Sequence, residues 1–340
     1  MIKKIKIGQI GISHEHAPGT MTDLKKLPDI FEIVVVVDDR DSKSAKYPGL
    51  DMSMYDGLTW MGEEELFNVP GLQAVAVETP NLDLVPTALR CMEHNLAIHM
   101  DKPGGDDLEL FARLRKGCEE RNLPFQIGYM FRGNPAMQWC FKAVRQGWLG
   151  DVFEIQANMS HNYGTTDYLQ YLGAFKGGII FNLGCHFIDL SVAMLGRPVH
   201  VTPFLQSTSG VDAKIKNNCL AVLEYPHTIV RVHACSQEVN GQGERRLKIC
   251  GTKGTIDLSP TERFDGHPLQ AKLMLNESNE QYDVGTHFID FEVKLDRHKD
   301  QLHDFAKMIN GEIKNPYTYE HDYLAQEVLL AAAGYTTWKI

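Results

Sequence analysis

Several features are scarce or missing in this chain of 340 residues. Its seven cysteines (Cys91, Cys118, Cys140, Cys185, Cys219, Cys235 and Cys250) are odd in number, widely scattered and never spaced C-x-x-C. That argues against a zinc knuckle or a disulfide framework and predicts buried thiols in a cytoplasmic protein. No apolar run approaches the length of a membrane span, and the opening MIKKIKIGQI lacks a signal-peptide cleavage region, so no membrane partner is expected. Basic residues are outnumbered, 34 Lys and Arg against 44 Asp and Glu, for a net charge of −10. No basic stripe is left to neutralise phosphates, so nucleic acid is excluded as a partner. There is no internal repeat, low-complexity segment or flexible linker.

What remains is the composition of a globular protein, 43% hydrophobic and 23% charged. The length suits two domains or one large α/β domain. The first third alternates strand and helix patterns. A strand at Ile5–Ile10 leads to a helix near 18–27, and FEIVVVVDDR is a β-branched run of the kind buried in a parallel sheet. LQAVAVETP (72–80), LAIHMDKPGG (96–105) and PFQIGYMF (124–131) are further strands, with helices over 85–95 and 108–122. This alternation predicts a doubly wound parallel sheet. Past Gly150, segments such as VFEIQANMSH and NCLAVLEYPHTIVRVHACSQE alternate as antiparallel strands joined by hairpin-like turns. Helical patterns fall at 134–147, 184–195, 298–310 and 320–335. The change of pattern puts a domain boundary near 128–134, giving domains 1–128 and 129–340. The last helices have the option of packing back on the first domain.

The loop after the first strand, IGQIGISHEHAPGT, admits two readings. His14 and His16 form an H-x-H pair of the kind that ligates metal in barrel hydrolases. Alternatively the loop is a worn version of the glycine-rich turn that seats a dinucleotide pyrophosphate. A barrel hydrolase keeps its alternation to the end of the chain, and two histidines fall short of a ligand set. The dinucleotide reading therefore prevails, with no metal expected. The fingerprint positions are Gly11, Ser13 and His16. Gly11 permits the tight turn, Ser13 is small enough for a phosphate to approach, and Pro18 suits the first turn of the helix beyond. Asp38 closes the second strand, where a carboxylate accepts the adenosine ribose hydroxyls. Arg40 keeps a 2′-phosphate open, so NAD is expected and NADP remains an alternative.

ETPN (78–81), HMDKPGG (99–105), GYMFRGNPA (128–136) and GGIIFNLGCHFIDL (177–190) follow in an order and spacing that resembles the Gfo/Idh/MocA family, the glucose–fructose oxidoreductase and inositol dehydrogenase group. The resemblance covers nearly the whole chain, including CGTKGTIDL (250–258) and YTYEHDYLAQEVLLAAAG (317–334). It implies an N-terminal Rossmann domain, a C-terminal α+β domain with a large, mainly antiparallel open sheet, and a sugar-like or polyol substrate held between them. It also implies cofactor contacts from Gly11, Ser13, His14, His16, Asp38, Thr79, Pro80, Asp101, Lys102 and Arg132. Lys102 and His186 are the implied proton-handling residues, and Asn182 completes the catalytic set. Substrate contacts are expected from Lys102, Tyr129, Tyr163, Asn182 and His186.

The residue chemistry runs alongside this resemblance. Lys102 sits at the carboxyl end of a parallel strand, where open α/β sheets bind ligands, and an amine there can hydrogen-bond a hydroxyl and shuttle its proton. Asp101 stands where the family has Glu. The family's Asp-x-Gly-x-His reads Asn182-Leu183-Gly184-Cys185-His186 here, and an amide orients a hydroxyl without ionising. Asp189 is expected to support this segment. Asn134 follows the strand into the second domain, and His161, Tyr168 and His321 are candidates for a sugar pocket. Arg297 and His298 are expected to cap or solvate a helix.

The expected function is transfer of a hydride between nicotinamide and a sugar, inositol or related polyhydroxy compound. Two alternatives stand beside it: a lyase or glycoside-cleaving enzyme that uses bound NAD for transient oxidation, and a catalytically inactive ligand-binding relative. An H-x-H metallohydrolase comes last. A homodimer or homotetramer is expected through the second-domain sheet, because such strands bury a second apolar face only against a partner.

Overall fold

The computed structural model describes residues 4–294 and 296–339. The chain divides into two compact units, one made of the residues up to Tyr129 together with Asp296–Gln326, the other of Met130–Leu295 and Glu327–Ile340.

In chain order the first unit runs β1 (Ile5–Ile10), α1 (Ala17–Lys25), β2 (Phe31–Val37), β3 (Trp60–Met61), α2 (Glu63–Phe67), β4 (Ala74–Val77), α3 (Leu84–Glu93), β5 (Ala97–Met100), α4 (Leu108–Glu120) and β6 (Phe125–Ile127). These strands form one parallel sheet in the order β3-β2-β1-β4-β5-β6. The strand order reverses between β1 and β4, and open α/β sheets bind ligands at the carboxyl end of such a switch point. β4 and β5 are buried throughout, which is why they read as unbroken apolar runs. Two strands are shorter than their sequence patterns suggest. β2 stops at Val37, before the acidic pair, and β6 stops at Ile127, where its last partner on β5, Met100, also ends.

The second unit contains α5 (Pro135–Arg145), β7 (Val152–Asn158), α6 (Thr166–Leu172), a π-helical turn at Ile180–Gly184 that runs into α7 (Cys185–Leu195), and then β8 (His200–Gln206), β9 (Asn218–Glu224), β10 (Ile229–Cys235), β11 (Arg246–Gly251), β12 (Gly254–Leu258), β13 (Gln270–Leu275) and β14 (Gly285–Asp290). Eight strands form one sheet in the order β14-β13-β12-β11-β7-β10-β9-β8. Every neighbouring pair is antiparallel except β7 with β10. Alternation is plain in β9, where Cys219, Ala221 and Leu223 are buried and Leu220 and Val222 turn to the other face.

The chain ends with α8 (Lys299–Ile309), which belongs to the first unit, and α9 (Tyr319–Ala332), which begins in the first unit and finishes in the second. The apolar stripe of α8 (Leu302, Phe305, Ala306, Met308) completes a core with Ile5, Ile7, Leu24, Phe31 and Ala74. Burying that stripe explains why a segment so late in sequence folds with the N-terminal sheet. All seven cysteines are buried thiols.

Candidate functional site

In the first unit the loop after β1 is built on Gly11. Its φ is +94°, and an added Cβ would lie 2.4 Å from the backbone nitrogen of Thr79. Only glycine lets the β1 and β4 loops approach so closely. The next two residues are held by Asp39, whose Oδ1 accepts the Ile12 N–H at 3.0 Å and the Ser13 hydroxyl at 2.7 Å. Asp38, the residue expected to meet a ribose, is exposed and accepts the Arg40 N–H at 2.8 Å and its Nε at 2.7 Å. Those bonds hold the Asp38 carboxyl below its ordinary range.

The two loop histidines are buried and converge on Asp101. Asp101 Oδ2 lies 2.8 Å from His16 Nδ1 and 3.0 Å from His14 Nδ1. Burial would push the Asp101 carboxyl up; the two imidazoles outweigh it and hold the group well below its usual value. For His16 burial dominates and lowers the ring's proton affinity. The loop's own N–H groups are partly engaged, His14 N–H to the Glu78 carbonyl at 3.1 Å and His16 N–H to His14 Nδ1 at 3.2 Å. Thr79 and Pro80 are buried beside this turn, and the Thr79 hydroxyl has no hydrogen-bond partner.

Lys102 is fully buried, and its amine donates to the Glu15 carboxylate. Burial acts to raise the Glu15 carboxyl, but the Lys102 ammonium, with His16 and His14, holds it far below the usual carboxylate range. Tyr129 is buried at the end of this unit, its carbonyl accepting Gln301 Nε2 at 2.8 Å. His298 takes the N-cap position of α8, without a side-chain capping bond, and is buried rather than solvated, with its ring 5.2 Å from that of His16. His321 is half-buried and packs on Tyr317.

In the second unit Asn182 lies in the π-helical turn and His186 in the first turn of α7, both buried. Such turns recur at functional sites because they shift side chains off the regular helical spacing. Asn182 Nδ2 is 3.5 Å from the Tyr168 hydroxyl, and the His186 ring is 5.6 Å from that of Phe131. Arg132 makes a buried two-pronged pair with Asp189, Nε to Oδ2 at 3.0 Å and Nη2 to Oδ1 at 2.6 Å. Asn134 caps α5 by accepting the Ala136 N–H at 2.9 Å. Tyr163 is partly exposed and stacks on His161, ring centres 4.0 Å apart, while Tyr168 meets Tyr163 edge-on at 5.6 Å. The His161 ring also receives the buried Arg245 guanidinium, which pairs with Glu262.

Residues 137–257 match the model of the GFO/IDH/MocA C-terminal domain. Over that segment the chain carries a C-terminal domain of the GFO/IDH/MocA type, and the relatives it is similar to are named dehydrogenases or oxidoreductases. It is 25% identical over 253 residues to trans-1,2-dihydrobenzene-1,2-diol dehydrogenase of Bos taurus, covering 71% of this chain and 72% of that protein. It is 22% identical over 286 residues to D-xylose 1-dehydrogenase [NADP(+)] of Haloarcula marismortui, covering 82% and 76%. Among solved structures, an oxidoreductase from Agrobacterium radiobacter in complex with NAD+, L-tartaric acid and magnesium superposes with a TM-score of 0.77 at 16% identity, covering 98% of this chain and 97% of that one. An NAD binding oxidoreductase from Klebsiella pneumoniae gives a TM-score of 0.77 at 14% identity, covering 96% and 95%. At these identities the structures establish a shared fold.

Two residues of the first unit's loops matter here without having been marked by the sequence. Glu15 was passed over as the middle of H-x-H, and only its contact with Lys102 marks it. Asp39, next to the ribose candidate Asp38, is the carboxylate that grips the loop. Neither had a signal in sequence, since both depend on what the fold brings opposite them.

Proposed function

We propose that the chain is an NAD-dependent dehydrogenase that moves hydride between the CH–OH carbon of a sugar, inositol or related polyhydroxy compound and nicotinamide. The observation that carries this reading is Lys102, a buried amine in a D-K-P turn directly after β5 of a doubly wound sheet. The relatives support it: two carry a sugar and a diol in their names, and one similar structure is a complex with NAD+.

Two features of the first unit fit a dinucleotide. The missing Cβ of Gly11 leaves a cradle against the β4 loop, and the buried Thr79 hydroxyl beside it lacks a hydrogen-bond partner. Gly11, Ser13, His14, His16, Thr79 and Pro80 would hold the pyrophosphate region, Asp101, Lys102 and Arg132 contribute further contacts, and Asp38 binds the adenosine ribose. Arg40, paired with Asp38, makes NADP the competing cofactor. When bound, the nicotinamide supplies the hydride acceptor. Oxidation of an alcohol also requires that its hydroxyl proton leave as the hydride departs. His186 takes that proton. Lys102 hydrogen-bonds the hydroxyl oxygen, and Glu15 holds the amine in position. Asn182, Tyr129 and Tyr163 orient the remaining hydroxyls; as an amide, Asn182 shares no proton.

The test is a panel of sugars and polyols added to the protein with NAD and with NADP, read by absorbance of the reduced nicotinamide. Reduction by at least one polyol is expected. Cofactor binding without reduction by any of them would instead favour a non-redox or inactive relative. Self-association is part of this reading, through the outer face of the second unit's sheet, where Leu220, Val222 and the exposed Ile229 lie. Sedimentation of a monomer at micromolar concentration would remove that element.

A further inference from the structure

The turns after β1, β4 and β5 gather two imidazoles and two carboxyl groups within the first unit. Asp101 Oδ2 is 2.8 Å from His16 Nδ1 and 3.0 Å from His14 Nδ1, and Glu78 Oε2 is 3.9 Å from His14 Nδ1. All four side chains are buried. Ligand atoms from His14, His16 and Asp101 lie within 4.8 Å of one another. Ligands on one tetrahedral ion at ordinary bond lengths sit about 3.3 Å apart, which is the scale of this cluster.

Hydrogen bonds orient the cluster. His14 Nε2 faces the Lys102 carbonyl at 3.2 Å. A carbonyl only accepts, so Nε2 carries a ring hydrogen, and Nδ1 is the nitrogen turned toward the carboxyl groups. That nitrogen lies 3.2 Å from the His16 N–H and 3.0 Å from Asp101 Oδ2. Glu78 is fully buried and its Oε2 faces the same His14 nitrogen. The Lys102 ammonium is paired with Glu15.

We propose that His14, His16, Glu78 and Asp101 form a binding site for one divalent first-row transition metal ion, of the zinc or manganese class. Two imidazole donors disfavour magnesium and calcium, which take oxygen ligands. The expectation of no metal at the H-x-H pair rested on there being two ligands; the fold brings two carboxyl groups to complete the set.

The experiment uses the full chain stripped with chelator. Cobalt(II) is titrated in and followed by its ligand-field absorption, and zinc is counted by elemental analysis after dialysis. One ion per chain is expected. His14→Ala and the near-isosteric Glu78→Gln should each weaken binding by about tenfold or more. Circular dichroism confirms that both variants fold. Absence of stoichiometric metal in the parent protein overturns the proposal, as does parent-like affinity in both variants. NAD binding, measured by fluorescence on the same preparations, separates this from the dehydrogenase reading. NAD bound without any metal sinks the metal site alone, and metal bound without any nicotinamide cofactor supports it while sinking the other reading.

Discussion

Asp39 Oδ1 accepts the Ser13 hydroxyl at 2.7 Å, tying the residue two beyond the end of β2 to the loop that follows β1. The same oxygen takes the Ile12 N–H, so one carboxyl fixes the chain directly after the Gly11 turn. The shape of the candidate cofactor loop therefore depends on a side chain from the neighbouring strand.

Replacing Asp39 tests that dependence. Burial pushes its carboxyl up, so the folded state favours the protonated acid. The stability linked to that proton is complete below the ordinary aspartate value, about 3.9, and is lost as pH rises through the raised folded value. Asp39→Asn keeps an acceptor oxygen and does not titrate. Its urea midpoint should gain on the parent as pH rises from about 4 toward neutrality. Asp39→Ala loses both bonds, should cost about 1–3 kcal/mol, and should weaken NAD binding. Equal pH profiles for parent and Asp39→Asn would contradict the assignment.

Lys102→Ala and His186→Ala should each lower turnover on the order of a hundredfold or more, because a positioned acid or base contributes at least that much. NAD affinity, measured separately, should change far less. If both variants turned over substrate at the parent rate, the assigned proton path would be wrong.

Asn182→Asp restores the residue of the family pattern at a position that is fully buried. The expected result is activity equal to the parent's or higher. A collapse of turnover in a folded variant would mean that this chain's chemistry has come to require the amide.

The Arg132–Asp189 pair is buried on both sides, 6% and 1% exposed. Removing one partner strands the other charge, so Arg132→Ala should cost about 3–5 kcal/mol in chemical denaturation. A double change to Arg132→Met and Asp189→Leu should recover most of that loss. Full stability in the single variant would instead point to solvent reaching the site.

Much of the architecture is set by local patterning. β-branched runs such as residues 33–37 mark the buried parallel strands, and period-two alternation marks those of the second sheet, because burial on one face or two leaves a different trace in each. The Gly11 turn and the D-K-P turn after β5 are also legible, since backbone chemistry constrains the residues themselves. Side-chain partnership is not. Asp101 comes to His16 from 85 residues away, Glu15 reaches Lys102 across 87, and Asp39 displaces its neighbour Asp38 as the residue that holds the loop. Sequence places each of these groups at the end of a strand, but which strand ends become neighbours is fixed by sheet order. Only the folded sheet, β1 between β2 and β4, decides which charges must share a buried space.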